Sequence, residues 1–239
     1  MWRMTTMGLL WVISSATLAR EPADIATIVR NVMTDTYGNA YDARNACWTY
    51  RWKNDQGEEA TYCMRPGKPE VVDGTLYLRT FNATDTGDAH YAYAHVEPGL
   101  MGAFRIRLHD KGAWTYQAFE PAMDYGSAGD CGCAQARFVK LGAQGPYGWM
   151  FTSGGIWSGV VVENLSIVTD LHGTMKDIAG LPMRAEDNQD TSYRFSIAPG
   201  ATQGMYPLHA VKTVKGKPST TFDVPFDPAT SRYMLPSAH

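Results

Sequence analysis

The chain has 239 residues and a formal net charge of −3, since 21 lysines and arginines stand against 24 aspartates and glutamates. This near balance lacks the basic excess with which nucleic-acid-binding proteins neutralise phosphates, so we expect no nucleic-acid partner. The charged share is low, at 19%, and glycine and tyrosine are abundant. That composition favours a turn-rich β protein over a helical bundle.

The first 19 residues have the pattern of a secretory signal peptide. Arg3 supplies a positive charge, an apolar run follows at 7–13, and small residues at 14–19 offer a cleavage site. No later segment approaches the roughly 20 apolar residues of a membrane-spanning helix. We therefore expect an exported chain, periplasmic or secreted, whose mature part begins at residue 20 and has no membrane span.

One helix is predicted near the start of the mature chain, from about residue 23 to residue 36. Apolar residues recur at helical spacing from Ile25 to Met33. Pro22 at the start and Gly38 just past the end match the usual placement of these two residues. We expect an amphipathic helix that packs one face on the core.

After this helix the apolar pattern changes to a period of two residues. In the clearest strand, 103–109, the side chains of Phe104 and Ile106 are predicted to face inward. Arg105 and Arg107 are predicted to face outward. Further strands are predicted at 47–52, 60–64, 75–81, 113–119, 137–141, 147–151, 160–169, 193–197, 209–214 and 221–226. With no helices between them, these strands predict antiparallel sheets, most simply a β-sandwich.

The predicted fold is therefore mainly β, an antiparallel β-sandwich with one N-terminal amphipathic helix after the signal peptide. No internal repeat or low-complexity linker divides it, so residues 20–239 are expected to form a single domain. The polar run 183–192 is the alternative boundary, beyond which a carboxy-terminal subdomain would begin.

The four cysteines are expected to form disulfides in the oxidising compartment that the signal peptide implies. Cys47 and Cys63 lie near opposite ends of a predicted hairpin, which suits a cross-strand bond. Cys131 and Cys133 then bond each other across Gly132, or else both cysteines of this loop bond the hairpin. We interpret the pair mainly as a structural anchor for a long loop.

Metal binding and redox chemistry are the alternatives for Cys131 and Cys133. Their spacing of one residue is shorter than the two to four residues typical of zinc sites. It also differs from the two-residue spacing of redox-active pairs. No histidine lies close to them in the sequence. We predict no metal and no cofactor.

The region 120–159 is the most informative about function, because it contains a long loop with few apolar side chains. Exposed aromatic rings beside carboxylates suit the binding of a sugar or a peptide. The candidate ligand-binding residues in this region are Asp124, Tyr125, Tyr147, Trp149 and Trp157. The alternative interpretation is that the two tryptophans fill the core.

A sixth candidate ligand-binding residue is His95, in the segment 88–99. If this segment is a strand, Tyr91, Tyr93 and His95 share one face. His90 then points to the opposite face, so the two histidines cannot hold one metal together. The aromatic face suits either a stacking platform or cross-strand packing.

Catalytic residues are not identified by any motif, since the chain has no nucleophile elbow, P-loop or dinucleotide fingerprint. We therefore expect a non-catalytic binding protein that recognises a glycan or a protein through aromatic, glycine-rich loops. The first alternative is a secreted hydrolase that uses Asp124, Asp130, Asp170 or His172. The second is a structural envelope or adhesin subunit, which a long unpaired edge strand or a large apolar patch would favour.

Overall fold

The computed structural model describes residues 24–184, 187–200 and 204–236. The predicted signal peptide, residues 1–19, lies outside the described residues, as does part of the polar run 183–192. The described part contains one α-helix, three short 3₁₀ helices and seventeen strands.

The elements follow one another in an order close to the predicted one. The helix is α1 (Ile25–Tyr37), and the first strands are β1 (Tyr41–Asp42), β2 (Cys47–Lys53), β3 (Glu59–Pro66), β4 (Glu70–Val72), β5 (Thr75–Asn82), β6 (Gly99–Leu108) and β7 (Trp114–Tyr125). The next strands are β8 (Arg137–Lys140), β9 (Tyr147–Trp157), β10 (Val160–Leu171), β11 (Thr174–Asp177) and β12 (Leu181–Arg184). The last are β13 (Thr191–Ile197), β14 (Leu208–Val214), β15 (Lys217–Val224), β16 (Phe226–Asp227) and β17 (Arg232–Tyr233). The 3₁₀ helices are Ala89–Tyr91, Asp110–Gly112 and Cys133–Gln135.

Helix α1 is capped by Asp24 at its start and by Gly38 at its end. The carboxylate of Asp24 accepts a hydrogen bond from the backbone N–H of Thr27, which satisfies a donor of the first turn. Gly38 has φ +84°, and its N–H donates to the carbonyl of Thr34. The predicted helix is confirmed, with its last residue at Tyr37.

Every pairing between these strands is antiparallel, as predicted, and the strands form three sheets and a short ribbon. The first sheet has the order β1-β2-β3-β5-β6-β7, with β4 beside β5. The middle sheet has the order β11-β10-β9-β8, with β12 also paired to β10. The third sheet is β13-β14-β15, and β16 and β17 form the ribbon.

Three apolar cores bind these layers together. The helix core lies between α1 and the first sheet and includes Val32, Leu78 and Phe104. The central core lies between the first and middle sheets, and the outer core lies between the middle and third sheets. In β9 Trp149 belongs to the central core and its neighbour Met150 to the outer core. The middle sheet is therefore buried on both faces, and a third sheet is added to the two of a simple sandwich.

The predicted hairpin forms from β2 and β3, and the Cys47–Cys63 disulfide crosses it. Cys63 stands opposite Thr49, so the bond runs diagonally to Cys47, two residues before Thr49 at the start of β2. The two Cα atoms are 5.3 Å apart, within the ordinary range for a disulfide. The predicted pairing of these two cysteines is confirmed.

The segment 88–99 differs from the predicted strand. Asp88 accepts a hydrogen bond from the backbone N–H of His90 and starts the 3₁₀ helix. Tyr91 is buried against the Cys47–Cys63 disulfide, and Tyr93 stacks on Tyr62 with ring centroids 5.1 Å apart. The predicted row of three aromatic side chains on one face is therefore wrong.

Candidate functional site

The Cys131–Cys133 disulfide lies in a loop of residues 126–136, which we call the CGC loop. Both cysteines are buried in the central core. Gly132 between them has φ +66°, in the left-handed region that favours glycine. A Cβ at Gly132 would lie 1.9 Å from the carbonyl oxygen of Thr152, so only glycine fits. Because the two cysteines bond each other, the first of the two alternative pairings forms, and the loop has no disulfide to the β2–β3 hairpin.

Hydrogen bonds hold the CGC loop to the first sheet instead. The buried side chain of Asn82 donates to the carbonyl of Gly129 (2.7 Å) and accepts from the backbone N–H of Leu100 (2.6 Å). Arg79 donates through Nη2 to the carbonyl of Ala134 (2.7 Å). Such bonds from buried side chains to loop backbone fix the loop without a covalent link.

The CGC loop also covers an edge of β9. Strand β8 pairs with β9 only as far as Met150, which stands opposite Arg137. Beyond that point Gly132 approaches the carbonyl of Thr152, and Nε2 of His95 donates to the carbonyl of Ile156 (2.8 Å). A carbonyl can only accept, so Nε2 carries the proton in this bond.

His95 and Trp157 form an exposed pair at the end of β9, which we call the platform. Their ring centroids are 5.5 Å apart, at an interplanar angle of 55°. The side chain of Trp157 is 37% exposed and that of Ile156 is 55% exposed. A Cβ on Gly155 would lie 2.2 Å from Oγ of Ser127 and 3.6 Å from Nε1 of Trp157, so glycine there allows the indole and the CGC loop to approach β9.

Two adjoining clefts lie along the CGC loop, and one of them reaches Ile156, the chain neighbour of Trp157. The glycine cleft has a volume of about 330 Å³ and is lined by residues 152–156 of β9 together with Val161 and Glu163 of β10. The arginine cleft, of about 480 Å³, is lined by residues from the CGC loop, β8, β9, β10, β12 and β13. Asp130, Gly132 and Thr152 line both clefts, so the two form one groove.

Charges of opposite sign occupy different parts of this groove. Arg137 of β8 and Arg194 of β13 line the arginine cleft. Glu163 lines the glycine cleft, and Asp130 lies where the two clefts meet. One oxygen of Asp130 accepts a hydrogen bond from the backbone N–H of Gly132 (2.8 Å), which orients its carboxylate.

Two of the predicted ligand-binding residues lie between the first and middle sheets. Trp149 is only 1% exposed and packs in the central core, so its prediction as a ligand-binding residue is wrong. Tyr125 is half-buried, with its ring edge-on to Phe151 at 5.0 Å. Burial, reinforced by the charge of Asp177, raises the pKa of Tyr125 far above 10. The alternative core role therefore holds for Trp149 but not for the exposed Trp157.

Tyr147 and Asp124 line separate clefts. Tyr147 borders a cleft of about 290 Å³ together with Arg105 and Asp170. Asp124 borders a cleft of about 460 Å³, which we call the acidic cleft, with Trp52, Asp55 and Glu58 among its lining. Val96, the neighbour of His95, also lines the acidic cleft and joins it to the platform. The structure thus brings His95 and Trp157 together and leaves Tyr147 elsewhere.

The four residues considered for hydrolysis are dispersed. Asp170 is ion-paired with Arg105 and accepts from the backbone N–H of Gly173. His172 is exposed at a turn with φ +55°. Asp124, Asp130 and Asp170 line different clefts among the four described, and His172 lines none of these. No acid–base pair forms among these four side chains.

A cluster of metal ligands and a membrane-spanning helix are both absent from the described ranges. Within residues 24–184, 187–200 and 204–236, no three His, Cys, Asp or Glu side chains form a group that could hold a metal ion. No helix in that part of the chain has both the length and the apolar character needed to cross a bilayer.

Sequence reasoning identified Asp130 but missed the two arginines of the arginine cleft. Arg137 and Arg194 are 57 positions apart, on strands of different sheets, and no local motif connects them. Phe195 and Met183, which share the cleft, are also in segments without a distinctive pattern. Only the stacking of the third sheet on the middle sheet brings these side chains together.

Searches against protein-family models, curated proteins and solved structures find no match for this chain. The groove, the platform and the charges around them are the features that indicate a function.

Proposed function

We propose that this protein is a non-catalytic glycan-binding protein of the periplasm or the extracellular space. The observation that carries the proposal is the platform, which adjoins the glycine cleft at Ile156. Two aromatic side chains from segments 62 positions apart, His95 and Trp157, meet on the surface and are held there by the bond from His95 to Ile156.

The chemistry of the groove matches that of a sugar. The face of an indole packs against the C–H face of a sugar ring, while oriented oxygens accept hydrogen bonds from its hydroxyls. Trp157 supplies the aromatic face. Asp130, Glu163 and the hydroxyl-bearing Thr152 supply polar groups along the glycine cleft.

Rigidity of the surrounding loops also supports binding. The N–H groups of Ala128 and Gly129 donate to the carbonyls of His95 and Glu97 (3.1 and 3.0 Å), which ties the CGC loop to the segment beneath the platform. A site that is already ordered loses less conformational entropy when a ligand binds.

Export is supported by the covalent structure. Two disulfides are formed, Cys47–Cys63 and Cys131–Cys133, and such bonds persist mainly in oxidising compartments. Together with the predicted signal peptide, they favour a periplasmic or secreted location.

The alternatives receive less support. The dispersed positions of Asp124, Asp130, Asp170 and His172 leave the hydrolase without an acid–base pair built from them. A structural subunit that polymerises by strand addition would use an open edge. The CGC loop covers the edge of β9 that β8 leaves unpaired.

A glycan array followed by titration calorimetry tests the proposal on the mature, oxidised chain. Replacing Trp157 with alanine should weaken the binding of the selected glycan about fivefold to tenfold, since the stacking surface is lost. Phe119→Ala is the matched control, because Phe119 is 49% exposed but lies outside the groove. Its affinity should equal that of the wild-type protein.

His95 tests whether the platform needs its hydrogen bond. His95→Gln retains an N–H donor toward Ile156, whereas His95→Ala removes it. We expect the indole N–H resonance of Trp157 to shift and broaden in His95→Ala, with glycan affinity reduced, and to be largely restored in His95→Gln. Binding of no glycan on the array, or full affinity in Trp157→Ala, would overturn the proposed function.

A further inference from the structure

We infer that the ligand is a glycan with an anionic sugar at one end, and that this end lies in the arginine cleft. The inference rests on the proposed function and adds the chemical class and the direction of the ligand. Three features carry it: the continuity of the groove, the free guanidinium groups at its far end, and the acidic cleft next to the platform.

The groove is continuous, so we treat the platform and the arginine cleft as parts of one site. The glycine cleft reaches Ile156, next to Trp157, and shares Asp130, Gly132 and Thr152 with the arginine cleft. A ligand that stacks on Trp157 and extends along β9 therefore passes the CGC loop and enters the arginine cleft.

The two guanidinium groups lack an acidic partner in the described part of the chain. Neither Arg137 nor Arg194 is within 4.0 Å of a described carboxylate. Nη2 of Arg137 donates to the sulfur of Met150, at 3.8 Å. A planar guanidinium binds a carboxylate or sulfate through two parallel hydrogen bonds, so a pair of arginines from two sheets suits an anionic group placed between them.

The glycine cleft, unlike the arginine cleft, disfavours a negatively charged group. Asp130 and Glu163 line the glycine cleft and repel a negative charge there, but their oxygens accept hydrogen bonds from sugar hydroxyls. Neutral sugars are therefore expected along the glycine cleft, with the anionic sugar beyond them.

The acidic cleft determines the direction in which the glycan lies along the groove. Asp55, Glu58 and Asp124 line it together with Val96, the chain neighbour of His95 in the platform. An anionic group is repelled from that cleft and attracted toward Arg137 and Arg194. The half-buried side chains of Met183 and Phe195 provide an apolar wall in the arginine cleft on which the ring of the anionic sugar packs.

The experiment compares three oligosaccharides built on one neutral backbone, chosen from the array hits: one ending in a uronic acid, its carboxyl-reduced counterpart, and one ending in a sulfated sugar. Calorimetry on the wild-type protein should show about tenfold tighter binding of an anionic form than of the neutral form. The tighter of the two anionic forms identifies the group. The advantage should shrink as salt concentration rises, since exposed charges are screened.

Arg137→Gln and Arg194→Gln should each reduce the advantage of the anionic form, and the double variant should bring it to within about twofold of the neutral form. Arg30→Gln on the exposed side of α1 is the matched control and should behave as wild type. Equal binding of neutral and anionic forms, unchanged by either substitution, would overturn the inference while the proposed function stands. Failure of every form to bind would overturn the proposed function itself.

Discussion

Arg105 of β6 and Asp170 of β10 form an ion pair, with Nη1 and Oδ2 2.5 Å apart, that links the first sheet to the middle sheet. Their side chains are 34% and 13% exposed. The alternation along β6 predicted that Arg105 would face solvent, and the middle sheet covers it instead. The charge of Arg105, which the sequence pattern predicts to face solvent, is therefore neutralised by Asp170 between the first and middle sheets.

Removing one partner of this pair should destabilise the protein more than removing a partner of an exposed pair. Asp170→Asn leaves Arg105 half-buried without its counter-charge, and we expect the free energy of unfolding to fall by about 3 kcal/mol. Glu59→Gln is the control, because it breaks the exposed Lys53–Glu59 pair and should cost less than about 1 kcal/mol. Urea denaturation of both variants measures the difference, and equal losses would contradict the burial argument.

The strands of the first sheet were predictable because side-chain alternation and turn residues are local signals. Phe104 and Ile106 face the helix core as their spacing indicates. Whether the opposite face of β6 is exposed depends on the middle sheet. The packing of that sheet involves residues more than 60 positions away, such as Asp170. No period in the sequence of β6 contains that information.

Gly132 should be one of the least replaceable glycines in the chain. Alanine there meets both left-handed backbone strain and the carbonyl of Thr152, so we expect a loss of about 3 kcal/mol or more in unfolding free energy. Gly74→Ala is the matched control. Gly74 has φ +70° with nothing within 4 Å of its Cβ position, and strain alone should cost about 1 to 2 kcal/mol. Thermal and urea denaturation give both values, and equal costs would show that the contact with Thr152 relaxes freely.

The two disulfides should contribute unequally to stability. In the chain-entropy relation, a bond with the separation of Cys47 and Cys63, 16 residues, contributes about 3 kcal/mol, and one with a separation of 2 about half of that. Replacing each pair by alanines and measuring unfolding in guanidinium chloride tests this order.

Peptide mapping without reduction tests the pairing itself. All four cysteines are buried, so a thiol reagent added with reductant should label none of them until the protein is unfolded. The peptide containing Cys131 and Cys133 should be internally oxidised. A cross-linked peptide joining this loop to the β2–β3 hairpin would refute the pairing described.

Alkaline pH should destabilise the protein through its buried tyrosines. Burial raises the pKa of Tyr37 and Tyr62 well above 10, and that of Tyr116 to about 12. Below pH 10 these hydroxyls are protonated in both states. Above pH 10 the unfolded chain loses protons that the folded chain keeps, so the free energy of unfolding falls as pH rises.

Spectrophotometric titration of tyrosinate measures this effect. A group of tyrosines should ionise only at pH values well above 10, together with the loss of near-ultraviolet dichroism. Tyr37→Phe should reduce the slope of stability against pH, whereas Tyr41→Phe at an exposed position should leave it unchanged. A single transition near pH 10 for all tyrosines would contradict the prediction.

The candidate site was only partly accessible to sequence reasoning. His95 could be selected from a predicted aromatic strand face and Trp157 as a ring near glycine-rich turns, but neither pattern predicts their contact. That contact depends on the CGC loop, which bonds the carbonyl of His95 through the N–H of Ala128 and packs Ser127 against Gly155. Trp149 has the same local signature as Trp157, and only the alternation of β9 against two other layers buries it. Composition identifies candidate rings, while exposure is decided by the fold.

The cover that the CGC loop places over β9 has a consequence for association with other molecules. An open strand edge is a template for pairing with another molecule, and pairing of this kind leads to aggregation. The segment of β9 beyond its pairing with β8, residues 151–157, has no charged side chain and no proline to discourage such pairing. Docking of the CGC loop on β9 therefore shields an edge whose sequence would otherwise favour pairing with another molecule.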